Sequence, residues 1–253
     1  METAPKGSRV SANVPTSGTY WLNSKRPLEI LVFLLPFIIA YEIGLLGVLR
    51  AGDGQVLTNV AHKTIVSIFE FLGVSGIGFA LPGIILVVIL LVWQCLRRAS
   101  WSIDYSTVGI MWLESLVLVL PILLMAQLLT GAQELNSLVA SDAAMPGLTG
   151  QIAVGIGAGL YEELVFRWLL IAVLHTLACD VFKCKHSTGL ILSIVCAAFA
   201  FAMYHPLEGN TFNLFAFYFL GGLYFGGIFV LRGFGIVAAV HALYDVVVVI
   251  GNQ

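Results

Sequence analysis

Charged residues are scarce in this chain. Lysine, arginine, aspartate and glutamate make up only 10% of its 253 residues, whereas 59% of the residues are hydrophobic. Because soluble domains carry about 25% charged residues, the composition excludes an ordinary soluble protein and predicts an integral membrane protein. The net charge is −2 and the sequence has no basic stripe, so we expect no nucleic-acid partner.

Several common motifs are also missing. The four cysteines show neither a CxxC pair nor a tidy metal-ligand spacing, so we predict reduced thiols that pack between helices. HExxH, the helical zinc-protease signature, is absent, and the glycines near residue 157 lack the GxGxxG pattern of dinucleotide-binding proteins. The cysteines are Cys95, Cys179, Cys184 and Cys196.

Long apolar runs recur from residue 28 to the end of the chain. We predict an all-α integral membrane protein with about seven transmembrane helices and one interfacial amphipathic helix, Val56–Phe71. A polar cytoplasmic tail over residues 1–27, disordered or loosely attached, precedes the membrane domain of residues 28–253. The predicted spans are Leu28–Leu49, Ile77–Leu96, Val108–Leu129, Thr149–Ala178, Ser187–Tyr204, Phe212–Leu231 and Phe234–Ile250.

Lysine and arginine are distributed unevenly between the connecting segments. The segments 130–148 and 205–211 contain none of them, whereas the tail, 97–107, 179–186 and Arg232 together hold nine of the twelve, the other three being Arg50, Lys63 and Arg167. Because basic loops stay in the cytoplasm, this pattern predicts a cytoplasmic N-terminus.

A charged motif lies within the predicted span Thr149–Ala178. A charge at the centre of a membrane helix costs roughly 2.5–3.5 kcal/mol, so Glu162, Glu163 and Arg167 require an explanation. Glu163 and Arg167 are four residues apart and share a helix face, where they can neutralise each other. Glu162 is rotated by about 100° and has no local partner.

Two further motifs occupy later spans. Phe201 and His205 are four residues apart at the end of one span, and His241 and Asp245 are four apart inside the last. Since polar groups in lipid face the protein interior, we expect the three motifs to meet in one pocket. A buried glutamate beside histidines can take a proton from water. The histidines can orient that water, bind a metal or stabilise an oxyanion.

Structural and non-enzymatic interpretations stay open at this point. Glu163 and Arg167 alone are more typical of a structural ion pair, and a His241–Asp245 hydrogen bond can simply join helices. An immunity or scaffold protein would use the pocket in that way. A proton-coupled transporter would use it as a relay, although the two halves of the chain show no inverted repeat.

The three motifs, EExxxR, FxxxH and HxxxD in this order, resemble the CAAX-protease and bacteriocin-processing family of intramembrane proteases, which includes the Ras-converting endoprotease. The resemblance covers roughly residues 110–250. It implies an intramembrane endopeptidase of the glutamate type, acting on a peptide or protein substrate within the lipid bilayer. We expect a bacterial plasma membrane or an equivalent one.

The resemblance also implies roles for the residues. Glu162 would activate water, with His205 helping to position it, and Glu163 and Arg167 would support the site together with Phe201.

The last motif, His241 and Asp245, would stabilise the oxyanion or complete a metal-ligand set. The family usually has asparagine where this chain has Asp245, and an ionised carboxylate cannot donate a hydrogen bond to an oxyanion. A divalent metal such as Zn²⁺ is compatible with these residues but not required by them, so the cofactor stays unknown. The predicted topology also places His205 at the far end of its span from Glu162.

Overall fold

The computed structural model describes residues 17–47, 67, 81–130, 147–205 and 211–251. Within these ranges the chain is helical apart from short turns and contains no strand, which confirms the predicted all-α membrane fold. The interfacial helix predicted over Val56–Phe71 lies outside the described residues except for Ser67.

Helices α1 to α8 follow one another along the described ranges. Six of them, all except α1 and α3, are long and apolar enough to cross a membrane. Helix α3, which the sequence predicts as a span over Ile77–Leu96, has 17 described residues and is a shorter apolar helix. The bounds are α1 Ser17–Asn23, α2 Pro27–Gly47, α3 Leu81–Arg97, α4 Tyr105–Leu129, α5 Gly147–Val181, α6 His186–Tyr204, α7 Thr211–Arg232 and α8 Phe234–Gly251.

Helix α5 is the longest and carries the EExxxR motif. Its 35 residues correspond to roughly 50 Å at 1.5 Å per residue, so it exceeds the ~30 Å hydrocarbon core, as its predicted length indicates. Two stretches of α5 are π-helical, Glu163–Leu170 and Leu177–Val181. Wide π turns occur frequently at functional sites, and the first one begins within the glutamate pair.

Helix α8 lies at the centre of the bundle. Residues 236–240 and Ala242 have no exposed surface, because α8 packs along α5, α4, α7 and α2. On α4, by contrast, Leu113, Val117 and Leu120 are exposed. An exposed apolar face on a membrane helix is a lipid-facing surface.

The N-terminal segment is more ordered than the sequence predicts. Tyr20 in α1 donates a hydrogen bond to Glu114 of α4, and the Arg232 guanidinium lies 3.7 Å from the centre of the Trp21 ring. Arg232 also donates to Glu114 Oε2 at 2.7 Å. The expectation of a loosely attached tail is therefore wrong for residues 20–26, because the partly buried ion pair of Glu114 on α4 and Arg232 on α7 gives α1 a docking place.

The basic segments meet at one end of the bundle. Asn23 donates to Asp104, Arg26 to Ser100, and Arg232 to Ser24. The structure thus places the tail, the 97–107 turn and Arg232 on the same side, as the distribution of basic residues predicts. That this side is cytoplasmic stays a prediction.

Candidate active site

Glu163 links two neighbouring helices. Its Oε1 lies 2.9 Å from Arg167 Nη1 and 2.7 Å from His241 Nδ1. Because a carboxylate can only accept, Nδ1 of His241 carries the proton and donates it. All three side chains are buried. The structure therefore contains the predicted Glu163–Arg167 pair and adds a contact to α8 that fixes the His241 ring.

Arg167 is held mainly by charge and by aromatic rings. Its guanidinium carbon lies 4.1 Å from the centre of the Phe201 ring and 5.3 Å from that of Phe225, which is the range of cation–π attraction. Neither Nη1 nor Nη2 has a well-aligned hydrogen bond, although Nη1 is within ion-pair distance of Glu163. The Glu163 carboxylate is thus the anionic group that balances this buried cation.

Glu162 faces away from Arg167 and towards two histidines. Its Oε2 lies 3.6 Å from His205 Nε2 and 4.0 Å from His241 Nε2. This oxygen is buried and has no hydrogen-bond partner. Both distances exceed those of direct hydrogen bonds and suit groups that share a bridging water. The predicted rotation of Glu162 away from its neighbour therefore leaves one carboxylate oxygen, Oε2, without a hydrogen-bond partner.

His205 presents a defined nitrogen to that carboxylate. Its Nδ1 lies 2.8 Å from the Phe201 carbonyl oxygen. Since a carbonyl only accepts, Nδ1 carries the proton and the lone pair of the neutral ring lies on Nε2, towards Glu162. The residue follows the last residue of α6, and its ring stacks on Tyr218 with centres 4.1 Å apart.

Asp245 is the most exposed member of the site. Its Oδ2 lies 3.6 Å from His241 Nε2, and 21% of its side chain is exposed. His241 therefore has a carboxylate near each ring nitrogen, Glu163 at Nδ1 and Asp245 near Nε2. The four-residue spacing of His241 and Asp245 in the sequence indicates only the contact with Asp245, and not the one with Glu163.

The expected separation of His205 from Glu162 is wrong. Glu162 lies 19 residues before the end of α5 at Val181, and His205 lies 19 residues after the start of α6 at His186. The two helices run in opposite directions from a short turn, so the two side chains reach the same level. Helix α5 has 35 residues, more than a ~30 Å hydrocarbon core requires, and this excess length accounts for a common level that the predicted spans did not allow.

A glycine sets the distance between α5 and α8. A Cβ added at Gly159 would clash with the backbone of Ala242, next to His241. Only glycine therefore allows the two helices to approach closely enough for Glu162 and Glu163 to reach His241.

Gly159→Ala should accordingly lower both stability and activity. Overpacking typically costs about 1–3 kcal/mol, and here it separates the catalytic helices. Gly227→Ala in α7 is the matched control, because a Cβ there meets nothing within 4 Å, and it should be neutral or slightly stabilising. Thermal melting in detergent together with a cleavage assay measures both effects, and equal behaviour of the two variants would contradict this account.

The pocket does not match a metal site in its present arrangement. Within the described ranges, no three donor atoms of Glu162, His205, His241 and Asp245 gather within 4.8 Å of one another. Ligands of one Zn²⁺, bound at about 2.0–2.3 Å, lie closer together than this. Zinc would require these side chains to move.

Two aromatic residues of the site are not recognisable as such in the sequence. The Phe225 ring stacks on His241 with centres 4.7 Å apart, and Tyr218 stacks on His205. Both belong to α7, a span that carries no Asp, Glu, Lys, Arg or His except Arg232 at its end. Its glycines indicate close helix packing, and no local spacing connects its aromatic residues to the motifs.

These features define a class of protein: a polytopic membrane protein with a carboxylate–histidine site buried between its helices. Residues 145–247 match the Rce1-like family, described as type II CAAX prenyl endopeptidase Rce1-like. The match covers 103 of the 253 residues and supports the predicted resemblance to the CAAX-protease family. The matched segment contains all the motif residues from Glu162 to Asp245. No curated protein and no solved structure matches the chain.

Proposed function

We propose that this protein is a CAAX-type intramembrane endopeptidase of the glutamate type. The observation that carries the proposal is the buried, unpartnered Oε2 of Glu162, with Nε2 of His205 and Nε2 of His241 on either side. A buried carboxylate in a membrane helix is costly, and more so when one of its oxygens has no hydrogen-bond partner. A general base that must be free to accept a proton from water accounts for its retention.

Water activation follows from the hydrogen-bonding roles. A water between Glu162 and His205 donates one hydrogen to Glu162 Oε2 and the other to the lone pair on His205 Nε2. As the water oxygen attacks the carbonyl carbon of the scissile peptide, its first proton passes to Glu162. His205 keeps its second hydrogen bond and holds the attacking oxygen in place.

The remaining proton transfers balance the reaction. Attack converts the peptide carbonyl into a tetrahedral intermediate with a negative oxygen. When this collapses, the carbon–nitrogen bond breaks and Glu162 returns its proton to the leaving nitrogen. The products are a free amine and a carboxylic acid, and Glu162 is again ionised.

His241 is the proposed oxyanion donor. Its Nδ1 hydrogen is committed to Glu163, so donation to the oxyanion uses Nε2. A proton on both nitrogens makes the ring cationic, and the carboxylates of Glu163 and Asp245 balance that charge. Asp245, as an ionised acceptor, orients His241 and favours the cationic form of its ring. Asp245 does not touch the oxyanion itself.

Location and sidedness complete the proposal. We infer a plasma membrane, bacterial or equivalent, with the cytoplasm facing the end where α1, the 97–107 turn and Arg232 meet. The support is the concentration of lysine and arginine at that end.

The substrate class can be tested with matched peptides. A peptide ending in a prenylated cysteine and three further residues, incubated with purified protein in lipid nanodiscs, should lose its last three residues. The same peptide without the prenyl group should be cleaved at least about tenfold more slowly, because prenyl burial holds the substrate in the bilayer. Mass spectrometry identifies the products. Equal cleavage of both peptides favours a bacteriocin-processing-like specificity, and cleavage of neither contradicts the CAAX-type specificity.

A further inference from the structure

A second cluster of donor atoms lies away from the candidate active site. His175 and Cys179 are one turn apart near the end of α5, and His186 is the first residue of α6. His175 Nε2 lies 3.1 Å from His186 Nδ1 and 3.5 Å from Cys179 Sγ. Groups of three or more His, Cys, Asp or Glu residues can hold a metal ion. In the part of the chain that the structure describes, these three residues form such a group, with all their ligand atoms within 4.8 Å of one another.

The distances match the edges of a tetrahedral zinc site. Zn–N bonds of about 2.0–2.1 Å and Zn–S bonds of about 2.3 Å place two nitrogens about 3.4 Å apart, and a nitrogen about 3.6 Å from a sulfur. The two short distances in the cluster are close to these values. The donor set of two imidazoles and one thiol also belongs to the ligands that zinc prefers, and not to those of Mg²⁺ or Ca²⁺.

The backbone brings the three side chains together. Cys184 N–H donates to the Ala178 carbonyl at 2.9 Å, which folds the turn back onto α5. A Cβ at Gly189 would lie 2.6 Å from Cys179 Sγ, so glycine is required for α6 to pass this close to the thiol. The side chains are partly exposed at the end of the hairpin, where an ion can enter.

We propose that His175, Cys179 and His186 bind one Zn²⁺, with water in the fourth position. The ion joins the end of α5 to the start of α6, the two helices that lead to Glu162 and to His205. On this proposal Cys179 is a metal ligand, whereas the sequence predicts a reduced thiol that packs between helices. Its sequence signal is a histidine and a cysteine four apart on a helix, followed by a histidine seven residues later.

Metal content tests the proposal. Protein purified without a histidine tag, supplied with Zn²⁺ and then dialysed, should contain about one zinc per chain by mass spectrometry of the metal. Cys179→Ser and His175→Ala should lower this to near zero. Cys196→Ser is the matched control, since it removes an exposed thiol of α6 outside the cluster, and it should keep the metal.

Cobalt substitution provides a readout that is independent of cleavage. Co²⁺ bound to a thiolate absorbs in the near ultraviolet, so the band should be present in the wild type and in Cys196→Ser and absent in Cys179→Ser.

The variant Glu162→Gln distinguishes zinc bound by the cluster from zinc bound in the candidate active site. That variant should retain zinc, because Glu162 is not a member of the cluster. Zinc lost in Glu162→Gln but kept in Cys179→Ser would place the metal in the polar pocket and overturn the proposal. Wild-type protein without zinc and without the cobalt band, which is the outcome for a merely hydrogen-bonded trio, would overturn it as well.

Discussion

Glu162→Gln should abolish peptide cleavage while leaving the melting temperature in detergent nearly unchanged. Glutamine has the same shape but cannot accept a proton from water, and loss of a general base typically lowers a rate by about 10²–10⁴-fold. Stability should be preserved because Oε2 of Glu162 forms no hydrogen bond that the substitution would break. Single-turnover cleavage and thermal unfolding of the same preparation measure the two effects.

Glu42→Gln is the matched control for this experiment. Glu42 is also a carboxyl in a membrane-spanning helix, and its Oε1 is likewise buried without a hydrogen-bond partner. It lies next to Gly83 in α3 and outside the proposed catalytic group. The cleavage rate of Glu42→Gln should stay within a factor of about two of the wild-type rate. This change is far smaller than the one that loss of a general base causes. Wild-type activity in Glu162→Gln would remove Glu162 as the base.

Contacts within one helix were predictable from the sequence. The four-residue spacing places Glu163 beside Arg167 and Asp245 near His241, and it leaves Glu162 without a partner on its own helix. The structure contains all three features. These predictions succeed because helix periodicity is a local property of the chain.

Contacts between helices were only partly predictable. That three motifs share one pocket follows from the cost of charge in lipid, but the 2.7 Å contact of His241 with Glu163 does not. It depends on how closely α5 and α8 approach, which Gly159 permits, and on their relative depth. The level of His205 likewise depends on where α5 ends beyond the hydrocarbon core, which hydropathy does not define.

The order of the N-terminal segment likewise depends on contacts between helices that are distant in the sequence. The sequence of residues 17–26 predicts a polar tail, because the segment alone buries little apolar surface. Its partners, Glu114 and Arg232, lie about a hundred and two hundred residues further along the chain. Their ion pair forms only when α4 and α7 are assembled, so the docking surface is a product of the fold.

Glu163→Ala should cause the largest loss of stability among these variants. It leaves the guanidinium of Arg167 buried without its anion, and breaking a buried pair from one side typically costs about 3–5 kcal/mol. It also removes the acceptor that holds His241 Nδ1. Unfolding in a denaturing detergent, followed by helix content, measures the stability, and the peptide assay should show activity lost together with it.

The double variant Glu163→Ala, Arg167→Met separates the two roles of Glu163. Replacing both charges with apolar groups removes the uncompensated cation, and such replacements are often neutral or stabilising. Methionine also retains contact with the Phe201 and Phe225 rings that Arg167 now covers. Most of the lost stability should therefore return. Cleavage should not return, because His241 still lacks its acceptor and no longer adopts a fixed orientation towards Asp245 and Glu162. If activity recovered in parallel with stability, the hydrogen bond from His241 to Glu163 would have only a structural role.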